Sequence, residues 1–177
     1  GSGGRQGNPA SSGSSATNRV QVSEASGDCN ARYPGANLAQ CPLANGNLAQ
    51  LDLRGANLSG GQLTGTDLSY TILSGANLSG SSAVNADIQH ANVTNAILSG
   101  ADLSGASLYD SDLSNSDMTG TILVSADLNA AHLMSANLSG AILSGADLTR
   151  ANLTNANLTN ANLANANLRG ANLTGAS

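Results

Sequence analysis

From Leu38 onward the chain repeats itself every five residues, and nothing else in it constrains the fold as tightly. The clearest stretch is 151–177, which reads ANLTN ANLTN ANLAN ANLRG ANLTG AS. The unit is a small residue, then Asn or Asp, then Leu, then usually Ser or Thr, then Gly, Asn or another turn former. Stepping by five from Leu38 to Leu173 gives 28 centres with no residue inserted or lost. Of these, 24 are Leu, including Leu38, Leu58, Leu78, Leu103, Leu128 and Leu153, which are expected in the core. The exceptions are Ala83, Ile88, Val93 and Met118, all apolar.

This unit resembles the pentapeptide repeat family, whose repeat is written A(D/N)LXX. The resemblance covers about 140 of the 177 residues. It implies an all-β fold, a right-handed quadrilateral parallel β-helix. Four repeats make one square coil of 20 residues, so 28 repeats make about seven coils. The centre and the small residue two before it face inward, and the other three face outward. At a strand spacing of about 4.8 Å the rod is about 34 Å long. Members of the family are functionally diverse, so function has to be argued from the surface.

Two segments follow, a tail over 1–27 and the β-helix over 28–177. The tail is rich in Gly and Ser up to Thr17, a composition that makes a linker rather than a core. Arg19, Val20, Gln21, Val22 and Ser23 then alternate polar and apolar, the pattern of a short half-buried strand. This strand is expected either to fold back on its own helix or to lie on a neighbouring molecule. Tyr33 falls in register as the centre of a degenerate first repeat, where its ring is expected to plug the open end of the tube.

The only two cysteines are Cys29, just before the repeats, and Cys41, at an inward position of the first coil. A bridge between them is expected, which would clamp the start of the helix and point to an oxidising compartment. The alternative is two free thiols, with Cys41 a small buried residue. Two cysteines alone make a poor metal site.

The outward columns are read by stepping 20. One runs Asn47, Asp67, Asp87, Ser107, Asp127, Asp147, Asn167, an acidic stripe either solvated or bridged by cations. Another runs Asn37, Asn57, Asn77, Ile97, Asp117, Asn137, Asn157, where stacked amides are expected to form ladders. Ile122 and Ile142 stack, and with Val124 and Met134 they are expected to make a small contact patch.

The composition excludes several functions. There is no run of 18 apolar residues, hence no membrane-spanning helix. Six Arg, no Lys and a net charge of −5 argue against direct nucleic-acid binding. His90 and His132 fall on outward positions without a Ser-His-Asp arrangement, and a packed narrow tube leaves no pocket, so neither catalysis nor a cofactor or metal is expected. The sequons at Asn57, Asn77 and Asn152 arise from the repeat itself.

The expected function is a non-enzymatic structural protein, outside the cell or on its surface, that assembles head to tail with itself into a filament. The periplasm and the thylakoid lumen are alternative locations. Leu168 and Leu173 in the last coil and residues 19–23 are the assembly candidates, because the repeats run to Leu173 without a capping element. The alternative is a DNA mimic acting on DNA gyrase, as some members of the family are. A third reading is ice binding, ranked lower because the Thr residues form no single column.

Overall fold

The computed structural model describes residues 28–177. The expected strand at 19–23 lies outside the described residues. Residues 36–175 wind into seven coils of 20: coil 1 is 36–55, coil 2 is 56–75, and so on to coil 7, 156–175. Parallel bridges join positions 20 apart, from Asn37 with Asn57 to Asn152 with Asn172, without a slip in register. The fold is the expected right-handed quadrilateral β-helix. Faces 1, 2, 3 and 4 are named here for the centres Leu38, Leu43, Leu48 and Leu53 of coil 1.

The repeat can be understood as an accounting of its five backbone N–H groups. In the repeat 56–60 the centre Leu58 donates to Asn77 of the next coil (2.6 Å), and the corner residue Gly60 donates to Ser79 of the next coil (2.9 Å). The second-position residue Asn57 donates back to Ala36 of the preceding coil (2.9 Å). The small residue opening the next repeat, Gly61, donates to Leu58 O and closes the turn (3.0 Å). One donor remains, that of Ser59. It is taken by the side-chain Oδ1 of Asn57 (3.1 Å). The same bond recurs at Ser69 to Asp67, Ser79 to Asn77 and Thr149 to Asp147. This is the Asx turn, and it explains why the second position is Asn or Asp.

The corner demands positive φ, which favours Gly and Asn. Gly105 (φ 65°) shows a second constraint, because a Cβ there would collide with Asn85 Oδ1 one coil below. At Gly120 (φ 63°) a Cβ would meet nothing within 4 Å. Gly120→Ala is therefore expected to cost about 1 kcal/mol, the left-handed penalty alone. Gly105→Ala should cost measurably more unless the Asn85 amide swings away. Urea titration of the two variants checks the difference.

The core is a single column of stacked layers. Leu38, Leu58, Leu103, Leu128 and Leu153 are fully buried and Leu78 almost so, as expected. The inward small positions are mostly Ala, and the hydroxyls that replace it are bonded internally except that of Ser81. Thr66 Oγ1 donates to Leu43 O (2.8 Å), Ser111 Oγ to Leu108 O (2.7 Å) and Thr121 Oγ1 to Leu98 O (2.9 Å). Each such bond removes the cost of burying a polar group.

The two ends of the rod differ. At the first coil, Leu38, Leu48 and Leu53 are buried although no further coil lies beneath them among the described residues. Cys29 packs on this core and forms a disulfide with Cys41, Cα to Cα 5.4 Å. Arg32 closes the segment by donating from Nη1 to Cys29 O (3.0 Å) and Ala31 O (2.7 Å). Tyr33 corrects its expectation. Its backbone is in register, with its carbonyl accepting from Ala36 N as every centre's does, but its ring is 56% exposed. The disulfide turn brings Cys29 against the leucine layer instead, so the ring plugs nothing. In coil 7, by contrast, Leu158, Leu163 and Leu168 are only half-buried and Leu173 is 41% exposed. Among the described residues, the backbone N–H groups of Leu163, Leu168 and Leu173 have no acceptor.

Candidate functional site: the edge between faces 3 and 4

Three of the four edges of the rod carry mainly Gly, Asn and Ser at their corners. The edge between faces 3 and 4 does not. Its corners read Gln50, Tyr70, His90, Asp110, Ala130 and Arg150, with φ between 52° and 61°, before Gly170. Each of these side chains holds a left-handed conformation at roughly 1 kcal/mol or more. Six in succession on one edge is a concentration of strain that the turn itself does not require.

The side chains on this edge touch one another. The Tyr70 ring stacks on His90 with centroids 4.7 Å apart and planes at 20°. Tyr109, at the fourth position of face 3, meets His90 edge-on at 5.5 Å. His90 Nδ1 lies 3.2 Å from Asp110 Oδ2, and His132 Nε2, on face 4, lies 4.0 Å from Asp110 Oδ1. Tyr70 is 58% exposed. His90 and His132 were expected to point outward without chemistry of their own, and they do point outward. Their grouping with Tyr70, Tyr109 and Asp110 was missed. Stepping 20 along the corner positions, rather than along the second positions alone, would have found it.

The acidic column runs down the adjoining face 3. Bridges pair Asp67 with Asp87 and Asp127 with Asp147, so like charges sit one coil apart. Each carboxylate is held by its Asx turn. Asp147 Oδ1 accepts from Thr149 Oγ1 (2.5 Å) and from Thr149 N (2.9 Å), and the hydroxyl bond foremost holds this carboxyl below its ordinary range. The lowered value means that Asp147 stabilises the fold above its unfolded-state pKa and ceases to as pH falls through its folded value. Asp147→Asn keeps the turn and removes this dependence. Its stability should match the parent closely at pH 7, and it should lose less on acidification below about pH 4. Urea midpoints at the two pH values test this.

Two further surface expectations need correction. The amide ladder is largely absent, because each Asn Oδ1 is taken by its own turn. Among the described residues a single Asn-to-Asn bond survives on that face, Asn157 Nδ2 to Asn137 Oδ1 (3.1 Å), while Asn137 Nδ2 donates to Thr119 Oγ1 (2.9 Å). Ile122 and Ile142 do stack on face 2, with Val124 beside them, but Met134 is on face 4, on the opposite side of the square, so the patch is smaller than expected. Among the described residues no three His, Cys or carboxylate side chains are arranged to hold a metal ion, and no helix is long and apolar enough to cross a membrane. A cleft of about 210 Å³ lies at the first coil between Cys29, Arg32, Pro42 and Leu48.

Comparison with known proteins agrees with this geometry. The family model for pentapeptide repeats matches in eight copies over residues 29–60, 62–100, 96–133, 111–150 and 151–177. No curated protein matches the chain. Among solved structures, HetL from the cyanobacterium Nostoc sp. strain PCC 7120, a protein involved in heterocyst differentiation regulation, is 34% identical over 79% of this chain and 77% of its own, with a TM-score of 0.34. QnrB1, a plasmid-mediated fluoroquinolone resistance protein, is 23% identical over 78% of this chain and 79% of its own, with a TM-score of 0.52. A pentapeptide repeat protein of the Arabidopsis thaliana thylakoid lumen is 34% identical over 59% of this chain and 62% of its own, with a TM-score of 0.22. With its repeat matched along nearly the whole described length, the chain belongs to the pentapeptide repeat family.

Proposed function

We propose that this protein is a non-enzymatic rod that associates with further copies of itself through coil 7. The observation that carries the reading is the partly uncovered leucine layer of that coil, with Leu173 41% exposed above unpaired backbone N–H groups. A regular coil is complementary to any other coil of the same pitch, and an open edge recruits strands. Two geometries follow. In a head-to-tail filament, coil 7 meets coil 1 of the next copy, aided by residues 19–23. In a tail-to-tail dimer, two copies of coil 7 meet through a closed, isologous contact. The clamped first coil favours the dimer. Pro42 also removes one of the N–H groups that the outer edge of coil 1 could offer.

Sedimentation velocity across a concentration series is the test. Species larger than the monomer are expected, and Leu173→Lys should return them to monomer without loss of fold. A chain that stays monomeric at every concentration would overturn the reading. Loss of the larger species on deleting 1–26 would favour the filament, and their survival the dimer. The disulfide supports a location outside the cytosol, on the cell surface or in a lumen. The alternative, a DNA mimic acting on gyrase, draws support from the acidic column and is removed by a supercoiling assay showing no inhibition or protection.

A further inference from the structure

The coils contain four ring-bearing side chains, Tyr70, His90, Tyr109 and His132, since the chain has no Phe or Trp and its third Tyr, Tyr33, precedes coil 1. All four lie on or beside the edge between faces 3 and 4, in coils 2 to 5. A second feature coincides with them. Between Arg54 and Arg150 the chain has no Lys or Arg but eight Asp, at 67, 87, 102, 110, 112, 117, 127 and 147. Six of the eight are on face 3, on face 4 or on this edge; only Asp102 and Asp117 are elsewhere. The rings therefore stand in a net negative field, which Arg54 on face 4 of coil 1 and Arg150 on this edge in coil 6 offset only towards its two ends.

We infer that this edge is a docking surface for a cationic segment of a partner protein, with arginine side chains seated on the rings of Tyr70 and Tyr109. One face of Tyr70 stacks on His90 at 4.7 Å, and the residue is 58% exposed, which leaves ring surface for a guanidinium. A guanidinium stacks on an aromatic face and forms forked bonds to carboxylates, so ring and acid act together on the same group. Asp67 and Asp87 each commit Oδ1 to the Asx turn, and no hydrogen bond among the described residues engages their Oδ2. The same field repels phosphate-bearing and anionic partners. The strain fits as well. Asn or Gly would make the Tyr70 and His90 corners at lower cost, which fits a role for these two rings beyond the turn. This surface is separate from coil 7 and stands whether or not the rod self-associates.

The test uses the full chain and a nona-arginine peptide read by fluorescence anisotropy at moderate salt, with nona-lysine alongside. The variant Tyr70→Asn/His90→Asn/Tyr109→Ser replaces each ring with a residue the repeat already uses at that position. It should fold, melt at a higher temperature than the parent, and bind nona-arginine at least tenfold more weakly. Asp67→Asn/Asp87→Asn should weaken it severalfold by removing both the carboxylate partners and their field. Nona-arginine should bind the parent more tightly than nona-lysine. Unchanged affinity in the ring variant, or equal binding of the two peptides, would reduce the effect to unspecific charge attraction and overturn the proposal. A lower melting temperature in the ring variant would make the rings structural and overturn it too. So would binding of a neutral oligosaccharide such as chitohexaose in place of the peptide.

Discussion

Leu103→Asp is expected to abolish the cooperative fold, while its neighbour Ser104→Asp should shift the melting curve only slightly. Leu103 is fully buried in coil 4, at the middle of the rod. Its replacement removes apolar contacts worth about 2–5 kcal/mol on truncation to a small residue. It also strands a carboxylate with no partner among Leu and Ala, a penalty of several kcal/mol unless the group takes up a proton. Together these rival the 5–15 kcal/mol that holds an ordinary domain folded. A solenoid is more exposed to such an insult at its centre than at its ends, because each coil is stabilised only by its neighbours. Breaking coil 4 leaves two short stacks, each with an added open end. Ser104 is half-buried and faces outward, with its hydroxyl donating to Asp102 Oδ1 (2.6 Å). An Asp there loses that bond and sits beside a like charge, at a cost of about 1 kcal/mol. Circular dichroism melts separate the two outcomes. Equal stability of the variants would refute the inward and outward assignment.

The five-residue period made the core legible because inward positions admit few alternatives. Leu38 through Leu153 could be named before any coordinates, and even the exceptions Ala83, Ile88, Val93 and Met118 are buried. The reason for Asn or Asp at the second position was not legible. Stacked amides were the natural guess from a column of Asn, but the backbone N–H two residues on, as at Ser59 facing Asn57, makes a closer and better-placed donor than the next coil's side chain. Where the second-position residue is Ile, Ser, Pro or His, no side chain among the described residues meets the donor, as at Tyr109 after Ser107 and Met134 after His132. The ringed edge was hidden for a different reason. Tyr70, His90 and Asp110 are 20 residues apart and interrupted by nothing that resembles a motif. Only the coil length brings them together, and only at the corner position. Tyr33 failed as a plug because register fixes the backbone, not the direction of a ring at the end of a stack.

Reducing the Cys29–Cys41 bridge should loosen the first coil selectively. The disulfide closes a short loop, 12 residues apart in sequence, and on the chain-entropy model such a constraint contributes about 3 kcal/mol. Its position makes the effect local. Among the described residues coil 1 has a neighbouring coil on one side only, and Cys29 and Ala31 pack on its core. Cys29 packs on the leucine layer and Cys41 is fully buried at an inward small position of face 2, the column that continues with Gly61, Ser81 and Ala101. Ser is already tolerated in that column, since Ser81 is buried without a hydrogen-bond partner. Cys29→Ser/Cys41→Ser therefore removes the bridge with little change of volume. Hydrogen exchange should show protection lost over 36–55 first, for the variant and for the reduced parent alike, with coils 3 to 5 unchanged. Denaturant unfolding should begin earlier and broaden, as an end coil melts ahead of the rest. Alkylation of unreduced protein should find no free thiol. Two alkylated cysteines, or protection in coil 1 that is indifferent to reductant, would show that the leucine layer alone holds the end of the rod.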